Sequence, residues 1–488
     1  MGAERWRGDE AEAAVVEGSV VAWERLHERI AHRFGRAEVR ARVRRYLAGL
    51  LGRVGRKNGW QVAEAIGEVG PQGVQRLLSG TSWDAEAVRE DLRAYVVEHM
   101  GDEASGVLIV DESSFPKEGA HSCGVAPQYC GTLGHSANGQ VGVFLAYGSA
   151  RGVAFIDRAL YLPQRWTADR GRCSAAGVPP GVRFATKVTL AKRLLARAFA
   201  AGVPAGWVVA DCPYGRAHHF RHWLEGQGRA HVVGVLPAQV VAHAGRRQRA
   251  MALAPSLPVE AWVRRSAGVG SQGERVHDWA CVPLEEAAPA GMGRWLLVRR
   301  PPQAPEECAY FRAYGPVDTP AAELVRVAGA RWAVEEGFAQ AKGEVGLDQY
   351  EVRCRVGAGP APPAPAAAAC RPATPRPPHG TRGHPVGPAH PRPLARDAGA
   401  LRQTEHRLCP LPPLVSAGPL AAPHRCSRTN CAATSTTAVQ QCRSASVTVG
   451  AHILRRRGQP SATWAHRSHH LAAARRELCG ADWRSQLS

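Results

Sequence analysis

Three carboxylates occupy positions from which phosphate chemistry is possible. Asp111 and Asp211 each close a short apolar run, V-L-I-V-D and W-V-V-A-D, of the kind that forms a buried strand. Glu335 lies further along, in the stretch A-G-A-R-W-A-V-E-E-G-F-A-Q-A-K-G-E-V-G-L-D-Q-Y (328–350). Three carboxylates can hold two hard divalent cations. Two such cations can promote the in-line attack of water on a phosphodiester.

Residues 328–350 are predicted to form one helix. Offsets of four, three and four residues place Arg331, Glu335, Phe338 and Lys342 on one face of it. A surface helix ordinarily keeps its charges opposite its apolar residues, so this mixed face is unusual. One interpretation is an exposed helix with supporting ion pairs. The other is the third corner of a catalytic site, with the two bases facing a phosphate backbone.

Two further acids compete for a place in such a site. Glu336 follows Glu335 but points about 100° away around the helix, so only one of them can face the site. The spacing to the neighbouring bases favours Glu335. Glu112 follows Asp111, and we interpret it as a flanking charge because adjacent strand residues point to opposite faces.

A zinc site is the alternative metal centre. His218, His219 and His222 have helical spacing, but no matching Cys or acid accompanies them. The 13 Cys are scattered without a C-x-x-C pair, which indicates reduced thiols rather than a disulfide framework or a zinc site.

The elements that must position the acids follow an α/β pattern. Strands alternate with helices between residues 107 and 236, which predicts an α/β sheet. Functional residues collect at the carboxyl ends of strands in such sheets, and we expect Asp111 and Asp211 at such ends. Between residues 237 and 320 the helical periodicity gives way to short strands broken by Gly and Pro. This change predicts a β-rich insertion ahead of the Glu335 helix.

Residues 20–104 are predicted to form a helical N-terminal domain. Two short helices around a Gly-containing turn resemble a helix-turn-helix, and a third helix is predicted at Trp83–His99 with Thr81 or Ser82 as N-cap. The density of Arg favours a DNA-binding domain. A plain helical bundle with a solvated Arg face is the alternative.

The tail differs in composition from the rest of the chain. The chain carries a net charge of +20, of which the residues after Cys354, with 18 Arg, no Lys and four acids, supply +14. Half of the 36 Pro also lie there. We interpret residues 354–488 as a Pro/Arg/Ala-rich tail that is aberrant or disordered, and we favour a shifted reading frame in GC-rich coding DNA. Residues 1–19 are predicted to be disordered.

No targeting or membrane signal is recognised in the sequence. A run of about 18 apolar residues is missing, and the charged N-terminus has no apolar signal core. We therefore expect a cytoplasmic protein with no membrane partner.

The sequence resembles the DDE transposases of bacterial insertion sequences, in the branch whose signature helix reads Tyr-x2-Arg-x3-Glu-x6-Lys. Arg331, Glu335 and Lys342 match that spacing, with Ala328 at the position of the Tyr. Other similar segments are V-L-I-V-D-E (107–112), A-L-Y-L-P-Q-R-W (159–166), F-A-T-K (184–187), V-V-A-D-C-P-Y-G (208–215) and K-G-E-V-G-L-D-Q-Y-E-V-R (342–353).

The resemblance implies a ribonuclease H-like catalytic domain over residues 105–353, with the β-rich insertion at about 237–320. It implies that Asp111, Asp211 and Glu335 are catalytic and bind Mg²⁺, with Mn²⁺ as a substitute. The DNA contacts that it implies are Arg331, Lys342 and Lys187.

The resemblance also implies partners and a place in the cell. The expected partner is double-stranded DNA, as terminal inverted repeats and as target, and a homodimer is expected in the synaptic complex. Cleavage and strand transfer at insertion-sequence ends would be the activity, in a nucleoid-associated cytoplasmic protein.

Two other functions stay open. If the tail disrupts packing behind the Glu335 helix, the protein would be a catalytically impaired, DNA-binding remnant of a transposase. An ordinary ribonuclease H-like nuclease is a further alternative, against which the insertion and the helical N-terminal segment argue.

Overall fold

A computed structural model describes residues 20–270 and 273–350, all of which fall within one compact unit. The predictions for residues 1–19 and 354–488, including the shifted reading frame, lie outside this range. Among the described residues, no helix combines the length and the apolar character needed to cross a membrane.

Five helices precede the first strand. They are α1 (20–31), α2 (Ala37–Leu51), α3 (Gly59–Ala65), α4 (Gln72–Ser79) and α5 (Ala85–Met100). Asp84 begins α5, because its carboxylate accepts hydrogen bonds from two backbone N–H groups of the first turn. The predicted N-cap at Thr81 or Ser82 is therefore wrong. Buried side chains of these helices belong to the same hydrophobic core as the sheet, so a separate DNA-binding domain at 20–104 stays a prediction.

One mixed sheet of ten strands organises the rest of the described chain. The strands of the described chain are β1 (Val107–Pro116), β2 (Ala126–Cys130), β3 (His135–Ser149), β4 (Gly152–Tyr161), β5 (Trp207–Ala210), β6 (Ala230–Val235), β7 (Val240–His243), β8 (Arg246–Arg249), β9 (Trp262–Gly270), β10 (Gly273–Pro283), β11 (Met292–Arg300) and β12 (Ala309–Pro316). The order of the ten-stranded sheet is β2-β3-β1-β5-β6-β12-β11-β10-β9, with β4 paired to β3, while β7 and β8 form a separate hairpin. The later helices are α6 (Gln164–Ala168), α7 (Arg170–Ala175), α8 (Lys187–Ala200), α9 (Cys212–Gly215), α10 (His218–Gly226), α11 (Ala250–Leu253), α12 (Ala321–Ala330) and α13 (Trp332–Val345).

The register of β1 against β5 brings the two aspartates side by side. These parallel strands are paired up to Val110 and Ala210, so Asp111 and Asp211 each directly follow the last paired position. The prediction that the first strand ends on Asp111 is wrong. β1 continues to Pro116 because the long antiparallel strand β3 pairs with it well past the acid.

The β-rich segment at 237–320 extends the main sheet. β12 pairs antiparallel with β6, and β11, β10 and β9 follow in antiparallel order. The added strands therefore continue the sheet beyond β6, whose carboxyl end lies on the same edge as that of β5.

The prediction of one helix over residues 328–350 is wrong. α12 and α13 meet at Arg331, which keeps helical dihedral angles (φ −58°, ψ −38°). The N–H of Val334 bonds to the Arg331 carbonyl at 3.1 Å, so the first turn of α13 is tighter than an α-helical turn. α13 ends before residue 350 because Gly346 adopts the left-handed conformation (φ 68°).

Asp157 on β4 ties the N-terminal helices to the sheet. Its side chain is 1% exposed and lies 2.7 Å from Arg89 of α5 and 2.9 Å from Arg197 of α8. Burial lowers the pKa of Arg89, and the charge of Asp157 opposes that effect. Loss of one partner of a buried ion pair leaves the other charge uncompensated.

We expect Asp157→Ala to lower the free energy of unfolding by about 3–5 kcal/mol, because Arg89 would lose its most buried partner. Arg29→Ala is the matched control, since Arg29 pairs with Glu98 at an exposed site, and it should cost about 0–1 kcal/mol. Urea unfolding followed by circular dichroism measures both. Equal losses in the two variants would contradict the role given to Asp157.

Candidate active site

Backbone hydrogen bonds orient the two aspartates. Asp111 is buried within β1, and its Oδ1 accepts the N–H of Glu112 at 2.7 Å. Asp211 follows β5 and caps α9, where its Oδ1 accepts the N–H of Cys212 at 2.7 Å. The remaining carboxylate oxygen of each residue faces the same guanidinium group.

That guanidinium group belongs to Arg331, at the junction of α12 and α13. Its Nη1 lies 3.5 Å from Asp111 Oδ2 and 3.9 Å from Asp211 Oδ2. Its Nη2 lies 2.8 Å from Glu335 Oε1, one helical turn away. The three acids predicted for the site therefore lie together around Arg331. Glu336 lies outside this cluster and pairs with Arg275 at 3.0 Å.

Burial and charge act against each other in this cluster. Burial raises the pKa of Asp111 from 3.8 to about 7, although the charge of Arg331 works to lower it. Burial also works to lower the pKa of Arg331, but the charges of Asp211, Glu335 and Asp111 prevail and raise it. Arg331 thus stays protonated and compensates the acids around it.

Glu112 joins the segments that follow the two aspartates. Its carboxylate lies 2.6 Å from Lys187 Nζ and accepts the hydroxyl of Tyr214 at 3.1 Å. Tyr214 is buried, and burial together with the charge of Glu112 raises its pKa well above the usual value. Lys187, a predicted DNA contact, is therefore held by an ion pair beside Asp111.

Lys342 lies apart from the ion pairs of the cluster. Its ammonium group donates to the Ser114 carbonyl at 3.2 Å and to Thr132 Oγ1 at 3.1 Å. Burial lowers its pKa. The structure thus joins Arg331 to the acids and gives Lys342 partners on β1 and in the β2–β3 loop.

A cluster of aromatic rings packs α13 against the sheet. The ring of Phe338 lies 5.1 Å from Phe144 and 4.7 Å from Phe155, measured between centroids. Contacts of this kind add to the burial of the rings. They fix the helix that carries Glu335 against β3 and β4.

A cavity of about 170 Å³ opens beside the cluster. Asp211 and Arg331 line one part of it, and Ala328, Trp332 and Arg299 line another. Ala328 stands where the resembled signature has Tyr, so the cavity reaches the position of the missing ring.

The donor chemistry of the cluster suits a hard cation. In the described part of the chain, no three His, Cys, Asp or Glu side chains approach closely enough to hold a metal ion together. The three acids instead surround a guanidinium group, which carries the positive charge there. The zinc alternative gains no support. His222 contacts the His218 ring and lies 3.4 Å from Glu225, but no group of three possible ligands forms there among the described residues.

Comparison with known proteins finds a matching family and a related protein. A family described as "DDE superfamily endonuclease" matches residues 29–255. A protein of Microchaete diplosiphon, described as "Probable transposase for insertion sequence element IS701", is 25% identical over 314 residues, which cover 62% of this chain and 74% of the relative. Over residues 29–255 the chain is therefore similar to the DDE superfamily of endonucleases.

The contact of Tyr214 with Glu112 was not predicted from the sequence. Tyr214 lies one helical turn after Asp211, in the segment C-P-Y-G, and that spacing was the available signal. Its bond to Glu112 depends on the pairing of β1 with β5, which no local pattern specifies.

The raised pKa of Asp111 predicts a pH effect on the stability of the protein. Between pH 3.8 and about 7 the folded protein retains a proton that the unfolded chain releases. Stability should therefore fall as the pH rises through this window, and remain lower above it. Thermal unfolding of the metal-free protein measures this, and Asp111→Asn should flatten the profile. Parallel profiles for the two proteins would show that Asp111 is not the group responsible.

Proposed function

We propose that this protein is a transposase that cuts DNA at the ends of an insertion sequence and joins them to target DNA. The observation that carries the proposal is the meeting of Asp111, Asp211 and Glu335 around one guanidinium group. The similarity of residues 29–255 to the family described as "DDE superfamily endonuclease" supports it. So does the description of the relative as a transposase for an insertion sequence element.

We assign Asp111, Asp211 and Glu335 as catalytic residues that hold Mg²⁺, with Mn²⁺ as a substitute. Carboxylate oxygens are the ligands that these hard cations prefer, and the three groups already share one cation, Arg331. Bound Mg²⁺ would supply an activated water and stabilise charge on the leaving oxygen. For all three acids to serve as ligands, the Arg331 guanidinium must give up its contacts with them.

The basic residues have distinct parts in the proposal. Arg331, once released from the acids, offers paired N–H groups to phosphate oxygens. Lys187 must exchange its contact with Glu112 to reach DNA. Lys342 must likewise leave its partners on Ser114 and Thr132.

A ribonuclease H-like core is part of the same proposal. Its support is the strand arrangement: β1, β3 and β4 form an antiparallel meander, and β5 and β6 run parallel to β1 on its other side. The acids lie where β1 and β5 end their pairing, at the edge where ligands bind in open α/β sheets.

The proposed partners are terminal inverted repeats and target DNA, bound by a homodimer. We propose that residues 20–104 contact the repeats. Several arginines there are paired internally, Arg33 with Asp91 at 2.6 Å and Arg42 with Glu68 at 2.7 Å. These pairs stabilise the helices. The contact with DNA must therefore come from other basic side chains of residues 20–104 that are exposed.

We expect Asp111→Asn, Asp211→Asn and Glu335→Gln each to slow DNA strand cleavage more than about 100-fold, since loss of groups that merely orient ligands costs about 10–100-fold. Glu336→Gln is the matched control, because Glu336 pairs with Arg275 outside the cluster. Gel assays with Mg²⁺ and DNA carrying the repeats that flank the gene provide the rates.

Each outcome of that assay is decisive. Cleavage that persists in Asp111→Asn and Asp211→Asn would remove these residues from the chemistry. A wild-type protein that binds the repeats without cutting them would favour the DNA-binding remnant over the active transposase.

A further inference from the structure

Arg299 is a basic residue of the cavity to which no function has yet been assigned. It lies near the end of β11 and lines the cavity together with Asp211 and Arg331. Its Nε is buried and has no hydrogen-bond partner among the described residues. No described carboxylate forms an ion pair with it, whereas its neighbour Arg300 approaches Asp278 at 3.8 Å.

The surroundings of Arg299 leave its positive charge poorly compensated. Burial and the charge of Arg331 both lower its pKa, against the opposing charge of Glu335. The acids of the cluster form ion pairs with Arg331, so their negative charge compensates Arg331 first and Arg299 only in part. An anion that entered the cavity would complete the charge balance of Arg299 at little cost in reorganisation.

Trp332 holds the guanidinium group of Arg299 in place. The Arg299 guanidinium carbon lies 4.8 Å from the centroid of the indole ring. Arg275 contacts the same ring at 5.3 Å but is paired with Glu336 at 3.0 Å. Arg275 and Arg299 thus contact the same indole ring. Arg299, which lines the cavity, is the one that has no carboxylate partner among the described residues.

We propose that Arg299 binds a backbone phosphate of the DNA strand that lies in this cavity, next to the phosphate that is cleaved. The inference rests on the proposed function, which supplies DNA as the substrate. A planar guanidinium group can engage two oxygens of one phosphate. Because Trp332 directly follows Arg331 in the chain, the phosphate held by Arg299 lies beside the acidic cluster.

The first experiment compares the affinity of three proteins for a fluorescein-labelled duplex that carries the terminal repeat flanking the gene. Arg299→Gln is expected to weaken binding about tenfold, and to reduce the slope of log affinity against log salt by about 0.9, the value for one lost phosphate contact. Arg275→Gln, the matched control, should behave as the wild type. Arg299→Lys should keep the slope, since it keeps the charge.

The second experiment removes the charge from the DNA. Single methylphosphonates are placed in turn along the strand near the mapped cleavage site. We expect a methylphosphonate at one position to weaken binding by the wild type about tenfold. The same methylphosphonate should not weaken binding by Arg299→Gln any further, because the variant has already lost the contact with that phosphate. Because this scan uses the wild-type protein, it stays informative even if Arg299→Gln folds poorly.

The outcomes separate this inference from the proposed function. Equal affinity and salt slope for Arg299→Gln and Arg275→Gln, or additive effects of variant and methylphosphonate at every position, would overturn the role of Arg299. A wild-type protein that neither binds nor cuts the duplex would overturn the proposed function itself.

Discussion

The site depends on the compensation of three carboxylates by one guanidinium group. Asp111 is buried, and burial raises its pKa to about 7 even though the charge of Arg331 works to lower it. Without Arg331, three acids crowded at this edge would repel one another and favour protonation. The contacts at 2.8, 3.5 and 3.9 Å therefore reduce the repulsion between the three acids and let them lie close together.

Long-range packing sets where that guanidinium group lies. Gly329 lets α12 lie close to β9, because a Cβ at this position would clash with the Ala267 carbonyl oxygen. Phe338 packs α13 onto β3 and β4. Arg331 sits between these two anchored helices, and the pairing of β1 with β5 delivers both aspartates to it. The insertion adds β11, and with it Arg299, to the other side of the same cavity.

Local patterns in the sequence predicted much of this arrangement, and the failures have physical causes. The four-residue spacing of Arg331 and Glu335 identified a contact within one helical turn. The apolar runs located the strands of both aspartates. The true extent of β1 was missed because it depends on β3, about thirty residues later, as pairing between distant strands does. The ion pair of Lys187 with Glu112 and the place of Arg299 in the cavity likewise depend on which elements become neighbours.

The central claim is that Asp111, Asp211 and Glu335 hold a divalent cation in the place that the Arg331 guanidinium group occupies. Anomalous diffraction from crystals of the protein with DNA ends and Mn²⁺ tests it most directly. We expect a manganese peak in contact with carboxylate oxygens of all three acids, with the Arg331 guanidinium group displaced towards the DNA backbone. A peak elsewhere, with the three ion pairs of Arg331 intact, would contradict it.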